Sequence, residues 1–396
     1  MPTTDEENKH GSKKKHVWLR DVIAGQTSIC ELDEENHRFY YRGYSIEGLA
    51  EHCTFEEVAH LLLMGKLPDA FCLEQFRTNL RKLAETAFTR KPIRDIARGY
   101  AYAHKMDVLS AMVREEGLVQ GKFADQETGS LEEAVKHAAN LVALMSMYCC
   151  FIAKRKGVPF NSELITSSPA KNILLTFLGS RPDEFQVHLM NVAMILYAEH
   201  EFNAGTFAVR VAASAHTDIY SAILCGISTL RGTRHGGANE EAMKMLLAIG
   251  TPENVRVWCD KFFEKPESRL PGFGHAVYKL RDPRVGIMKP LLREFSQRGA
   301  DMRWYEMCLA LEEYMAERFL KHGKFIPANI DLWTAPMYYI MGIPINLYTP
   351  LFAAARVAGW CAHYLEVRNI LNEPILRPRA EYIGSEPRPY VPIEKR

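Results

Sequence analysis

Apolar and polar positions follow two rhythms along this chain. Between Gly25 and Arg42 the composition is β-like, with Thr27, Ile29 and the run Phe39-Tyr40-Tyr41. The polar Asp33-Glu34-Glu35-Asn36 between them predicts a hairpin turn. Beyond that point the rhythm is helical. Thr54-Phe55-Glu56-Glu57 has the form of a capping box, Thr54 as N-cap and Glu57 at the third helical position. Val58, Leu61 and Leu62 follow at helical spacing and Gly65 marks the stop. Pro182, Asp183 and Glu184 open a helix in the sense that the macrodipole favours. Val187, Leu189, Met190, Val192, Met194, Ile195 and Leu196 make it apolar on nearly every side, which predicts a central position. One long helical stretch is expected over Phe207 to Leu230, and another from Thr349-Pro350 through Arg356 to about Ile370. Period-2 strands are scarce elsewhere, and no internal repeat is evident. The expected fold is mainly α with a short N-terminal β element.

The two ends read differently. Residues 1 to 16 are expected to form a solvated, flexible arm. After Leu371, Pro374, Pro378, Pro387, Pro389 and Pro392 forbid a long helix, while Tyr382, Ile383 and Tyr390 predict that this tail docks on a surface. From Leu332 to Ala355 no residue is charged. A membrane-spanning helix needs ~20 mostly continuous apolar residues, but Pro336, Gly342, Pro344, Asn346 and Pro350 interrupt this stretch. It therefore reads as buried core in at least two helical pieces.

Composition narrows the field. Of 396 residues, 49 are Lys or Arg and 48 Asp or Glu, a net charge of +1 that argues against nucleic acid and membrane surfaces as partners. An apolar share of 47% supplies a core and excludes disorder as the main theme. Nine cysteines without a C-x-x-C pair fit a reducing compartment, with Cys149-Cys150 expected as buried free thiols. Met1 to Lys15 mixes acids and lysines without an apolar core, so neither a secretory nor a transit signal is expected there, and a cytoplasmic location is.

Metal-protease, paired-cysteine, EF-hand and phosphate-loop signatures are absent. Gly272-Phe273-Gly274 supplies only part of a dinucleotide fingerprint, since Val277 stands where a third glycine belongs. Two histidines lie in glycine-rich turns: Arg234-His235-Gly236-Gly237-Ala238-Asn239-Glu240 and Pro271-Gly272-Phe273-Gly274-His275-Ala276-Val277-Tyr278. Glycine neighbours let a backbone approach a ligand closely; an exposed loop histidine is the plainer reading of either alone. Asp331, in Pro327-Ala328-Asn329-Ile330-Asp331, heads the uncharged stretch and reads equally as a helix N-cap or a functional carboxylate. Arg356 is the one ionised residue between Pro350 and His363, and a buried guanidinium must find a protein carboxylate or an anionic ligand. Arg284 alone would be a surface charge. His200 alone would be a helix-terminal histidine favoured by the dipole. Together the set holds two imidazole donors, one carboxylate base and several arginines. A carboxylate base facing an imidazole donor suits removal of a proton next to a carbonyl. Arginine forks suit a small polyanionic substrate.

At these residues the chain becomes recognisable. Arg231-Gly232-Thr233-Arg234-His235-Gly236-Gly237-Ala238-Asn239-Glu240 resembles the first catalytic-histidine segment of citrate synthases. Gly272-Phe273-Gly274-His275-Ala276-Val277-Tyr278 with Asp282-Pro283-Arg284 resembles the second, and Asn329-Ile330-Asp331 the catalytic aspartate segment. The similarity runs from about Trp18 to the C-terminus. Within that family, the run Ala198 to Phe207 and the tail from Ile375-Leu376-Arg377-Pro378 to Arg388-Pro389-Tyr390-Val391-Pro392-Ile393 are most similar to 2-methylcitrate synthases. Those join propionyl-CoA to oxaloacetate, and many also accept acetyl-CoA.

The resemblance implies a homodimer with a large helical domain (1–235 and 342–396) and an inserted smaller one (236–341), closing on oxaloacetate. It implies Asp331 as the base that deprotonates the acyl-CoA, His235 as donor to the thioester oxygen and His275 as donor to the ketone of oxaloacetate. His200, Arg284 and Arg356 would hold oxaloacetate, with Arg377 reaching in from the partner subunit. CoA contacts would fall on Leu270, Gly272, Phe273, Gly274 and Lys279. No metal and no cofactor beyond the CoA thioester substrate is implied. The chain departs from the family pattern at Lys105 and Ser110 in His104-Lys105-Met106-Asp107-Val108-Leu109-Ser110, and Glu115 to Thr128 matches nothing in it. Phe202 and Phe207, where ordinary citrate synthases are more polar, point to propionyl-CoA, although one methylene is worth only ~1–3 kcal/mol of discrimination. The competing readings are an ordinary citrate synthase of the citric acid cycle, a two-histidine, one-carboxylate iron enzyme built on His235, His275 and Asp331, and a non-catalytic helical scaffold.

Overall fold

The structure is a computed structural model that describes residues 22–396 apart from 125–129, 154–164, 179, 234, 266, 300 and 321–322. The expected arm therefore lies outside the described residues, as does part of the unmatched segment after Glu115.

The N-terminal β element is a three-stranded antiparallel sheet of β1 (Cys30–Asp33), β2 (Arg38–Tyr41) and β3 (Tyr44–Ser45), with Cys30 opposite Tyr41 and Asp33 opposite Arg38. Its hairpin closes at the expected place, because Asp33 accepts hydrogen bonds from the backbone and side-chain amides of Asn36 at 3.0 and 2.8 Å. Phe39 and Tyr41 point inward, fully buried and edge to face at 4.9 Å.

Helices make up the rest: α1 (Ile46–His52), α2 (Phe55–Met64), α3 (Ala70–Thr89), α4 (Lys91–Gly99), α5 (Lys105–Ala124), α6 (Leu131–Ala153), α7 (Pro169–Leu178), α8 (Glu184–Tyr197), α9 (Ala204–Ser214), α10 (Ile219–Leu230), α11 (Ala238–Ile249), α12 (Val255–Phe262), α13 (Pro283–Gln297), α14 (Arg303–Leu320), α15 (Ile330–Ile340) and α16 (Tyr348–Leu365). Local signals set many of their ends. Thr54 and Glu57 form the capping box of α2, and Gly65 ends it at φ +79°. Asp183 caps α8, with Gln186 completing a second box.

The stretch expected as one helix over Phe207 to Leu230 is two. His216 adopts φ +63°, and Asp218 starts α10 by accepting from the Ser221 amide at 3.0 Å. The break is itself polar, Ala215-His216-Thr217-Asp218, and a cap of this kind starts a new helix there. The uncharged stretch lies, as expected, in two helices, α15 and α16. Every residue of α16 except Phe352 is buried, and α2, α6, α8, α9 and α10 pack around it. A second group, α11, α13 and α14, gathers on α15. α6 is long and apolar enough to cross a membrane, but most of it is buried inside the molecule. Cys149 and Cys150, on α6, are free and buried.

The tail lies exposed on its own chain. Tyr382, Ile383 and Tyr390 are 78%, 88% and 79% exposed, so it does not dock on its own chain. It is anchored near its start, where the Leu376 amide donates to Ser214 Oγ at 3.0 Å and Glu373 pairs with the buried Arg210 at 2.7 Å. Beyond that, its prolines leave few amides to bond a neighbour.

Candidate active site

Two loops far apart in sequence are stitched together next to the central helix. Gly274 N–H donates to the Pro327 carbonyl at 2.8 Å and Asn329 N–H to the Gly272 carbonyl at 2.9 Å, around a bridge between Phe273 and Ala328. The Asn329 side chain adds a bond to the Gly274 carbonyl at 2.9 Å. This approach needs the glycines. Gly272 and Gly274 have φ +80° and +75°, and a Cβ on Gly272 would lie 2.9 Å from Cβ of Leu332. The stitch carries His275 on one strand and Asp331 just beyond the other.

Asn329 caps α15, accepting from the Asp331 amide at 3.1 Å. Asp331 is thus not the N-cap, and its carboxylate is free for other work. Its Oδ1 accepts from the Tyr197 hydroxyl at 2.7 Å. Burial pushes its pKa above the usual carboxylate value, opposed by that hydrogen bond and by Arg284 and Arg356.

His275 Nδ1 accepts from the amides of Val277 and Tyr278 at 3.1 and 3.4 Å, which places the proton of the neutral ring on Nε2. His235 Nε2 accepts from the Gly205 amide, in the first turn of α9, at 3.3 Å, which places its proton on Nδ1. Burial pushes both imidazoles down to about 4, helped by Arg284 at His275 and by Arg356 at His235. Both are neutral donors at physiological pH. His200 lies beyond the end of α8, buried, edge-on to His275 at 4.9 Å and hydrogen-bonded to the Tyr278 hydroxyl at 3.0 Å. Burial, with Arg284 beside it, holds its pKa well below the ordinary value.

The arginines divide. Arg284 is buried and bidentate on Asp282, Nε to Oδ1 at 2.9 Å and Nη2 to Oδ2 at 2.8 Å; Asp282 Oδ2 also accepts from the Ile330 amide at 3.2 Å. One aspartate therefore fixes both Arg284 and the start of α15. Arg356, 2% exposed, has no carboxylate within ion-pair distance among the described residues. Its Nε donates to the Tyr197 carbonyl at 2.6 Å, and its guanidinium lies 4.7 Å from the Phe352 ring centre. Its charge acts on His200, His235, His275 and Asp331 alike. The buried Glu199 carboxylate attracts the guanidinium from beyond ion-pair distance, with Tyr41 next, and among the described residues the fork has no carboxylate in direct contact, an arrangement suited to an anionic ligand.

The remaining sequence-predicted residues stand elsewhere. Leu270 is buried, and Lys279 is exposed with its Nζ on the Ala276 carbonyl at 2.5 Å. Arg377 lies on the exposed tail. Phe202 packs 6.3 Å from Phe207 and beneath Arg210, 4.3 Å from the guanidinium carbon. Among the described residues, no three His, Cys, Asp or Glu side chains are grouped to hold a metal ion. Sequence reasoning missed Tyr197 and the anchoring role of Asp282. The first is hidden in an apolar helix. The second stood in Asp282-Pro283-Arg284, where an acid before Pro at the start of a helix is itself a cap signal.

This arrangement can take a proton from a carbon beside a carbonyl, stabilise the oxyanion that develops, and hold a substrate carboxylate on Arg356. Comparison with known proteins agrees. The family model for citrate synthase, C-terminal domain, matches residues 18–379. The 2-methylcitrate synthase of Shewanella oneidensis is 35% identical over 96% of this chain and 97% of its own. Citrate synthase 2 of Bacillus subtilis is 34% identical over 96% and 98%. The structure of a ternary complex of carboxymethyl coenzyme A and oxaloacetate with citrate synthase from Thermoplasma acidophilum superposes with a TM-score of 0.86 at 29% identity, covering 97% of this chain and all of that one. With fold and sequence alike end to end, the chain belongs to the citrate synthase family, acyltransferases of the citrate-synthase type of condensation.

Proposed function

We propose that this protein condenses an acyl-CoA with oxaloacetate and water, releasing free CoA, and that it prefers propionyl-CoA to acetyl-CoA, so that its main product is 2-methylcitrate. Asp331 takes a proton from the acyl carbon next to the thioester. The oxygen that gains charge accepts from His235 Nδ1–H. The carbon then attacks the ketone of oxaloacetate, whose oxygen accepts from His275 Nε2–H. Water hydrolyses the resulting thioester, separating the tricarboxylic acid from the thiol.

The observation that carries this reading is Arg356, a buried guanidinium with no carboxylate within ion-pair distance among the described residues, beside the Tyr197 that binds Asp331. A substrate carboxylate supplies the missing partner, with His200 and Arg284 alongside. Arg377 completes the site of a partner subunit in a homodimer. CoA lies against Leu270, Gly272, Phe273 and Gly274, with Lys279 at its phosphates. Residues 236–341 form the smaller domain that closes on the larger (1–235 and 342–396) when oxaloacetate binds. The protein works in the cytoplasm with no cofactor besides its CoA substrate. Support for propionyl-CoA comes from Phe202 and Phe207, adjacent to the turn whose Gly205 amide faces His235.

Thiol release from acetyl-, propionyl- and butyryl-CoA, with and without oxaloacetate, tests the proposal. Release that requires oxaloacetate is expected, with kcat/KM about tenfold higher for propionyl-CoA. A higher value for acetyl-CoA overturns the preference and makes this an ordinary citrate synthase. No release with any of the three overturns the function.

A further inference from the structure

We propose that Tyr197 is a positioning residue for the base: its hydroxyl holds Oδ1 of Asp331, so that Oδ2 is the oxygen that receives the substrate proton, and Thr334 orients that hydroxyl. This deepens the reading of Asp331 as base and rests on it.

Tyr197 ends α8 and is 1% exposed. Its hydroxyl lies 2.7 Å from Asp331 Oδ1 and 2.6 Å from Oγ1 of Thr334, which stands one turn beyond Asp331 on α15 and is wholly buried. The phenol has one proton and an ionised carboxylate can only accept, so the proton goes to Asp331 in the stronger, charge-assisted bond. Thr334 then donates either to the phenol oxygen or to the Ile330 carbonyl at 3.2 Å. Oδ2 has no hydrogen-bond partner among the described residues. The ring is fixed against Phe352, centroids 4.5 Å apart. The carbonyl of the same residue takes Arg356 Nε at 2.6 Å. Tyr197 therefore joins the base to the buried cation through one short, rigid residue.

The groups that face the Asp331–Tyr197 pair are Arg284 from α13, Asp282 before it, Arg356 from α16, and Tyr338 from α15 itself. Burial works against the carboxylate, and the phenol proton works for it. Removing that proton raises the pH at which Asp331 ionises.

Tyr197→Phe keeps the ring against Phe352 and the carbonyl for Arg356, and removes only the hydroxyl. The expected result is a fall in kcat of about 10- to 100-fold, a KM for oxaloacetate within about twofold, and an acid limb of kcat/KM displaced upward by about one pH unit. Thr334→Val should move the limb in the same direction by less, and Thr334→Ser should restore it. These two carry the test if Tyr197→Phe does not fold. A structural role alone would lower the thermal midpoint without moving the limb. An unmoved limb in Tyr197→Phe, or in Thr334→Val where that replaces it, overturns the proposal, as does a KM loss matching the kcat loss. Wild type and Asp331→Ala are assayed alongside. If wild type releases no thiol, or Asp331→Ala stays active, the assignment of the base has failed. If both behave as expected and the limb stays fixed, only the role of Tyr197 has failed.

Discussion

Replacing Arg356 by methionine separates a ligand-binding arginine from a structural one, because the two roles predict opposite effects on the empty protein. Arg356 is 2% exposed, its Nε bonds the Tyr197 carbonyl, and among the described residues no carboxylate lies within ion-pair distance of it, the Glu199 carboxylate acting from farther off. Removing a buried cation recovers its desolvation cost, on the order of several kcal/mol, against which stands the lost attraction of the buried Glu199 carboxylate. The Tyr197 carbonyl left without its donor costs about 1–3 kcal/mol in return. The ligand-free variant should therefore melt within a few degrees of wild type. Oxaloacetate binding should collapse, since truncating one partner of a buried, hydrogen-bonded charge pair costs about 2–5 kcal/mol, on the order of 30- to 5,000-fold in Kd. Calorimetric titration with oxaloacetate measures the second effect. Thermal unfolding with and without oxaloacetate measures both at once: at 100 times its Kd the ligand should stabilise wild type by about 2.7 kcal/mol, and at that same concentration the variant should gain about 0.9 kcal/mol or less. A variant that melts far below wild type yet binds oxaloacetate as tightly would refute the reasoning and make Arg356 a member of a structural network.

Asp331→Ala should abolish thiol release while leaving oxaloacetate binding by calorimetry largely intact, because the base is not a clamp; loss of both would place Asp331 in the binding site instead. Since His235 and His275 are held at about 4 against an ordinary value near 6.5, the folded protein binds fewer protons than the unfolded chain between those values. Stability should thus be full above about pH 6.5 and fall as the pH drops towards 4, read as a falling urea midpoint, and His275→Asn should make that fall shallower. An equally steep fall in the variant would show that His275 is not held neutral.

Much of the architecture was legible along the chain because it is set by neighbours. The capping box at Thr54, the glycine stop at Gly65, the cap at Asp183 and the hairpin turn at Asp33 all depend on side chains within four residues of the backbone groups they satisfy. The failures have the same physical origin. Helical-spaced apolar positions lie on both sides of Ala215-His216-Thr217-Asp218, and within that polar break one aspartate sufficed to start a new helix. Asn329, not Asp331, caps α15, a choice between two adjacent cap formers that only geometry makes. Tyr382, Ile383 and Tyr390, expected to dock on a surface, are exposed on their own chain, and which surface takes them is not a local property of the sequence.

Residue types alone determined that two imidazoles in glycine turns, one carboxylate and one isolated guanidinium were available, and that the guanidinium needed a partner. They also carried the family, since motif order survives in a string of letters. Only the tertiary structure decided which ring nitrogen of each histidine bears its proton, that Asp282 holds Nε and Nη2 of Arg284, and that Tyr197 stands between Asp331 and Arg356. Hydrogen-bond direction and burial depend on atoms brought together from distant segments. The pull of a backbone amide, or the loss of water around a charge, exists only once packing has placed those atoms a few ångströms apart.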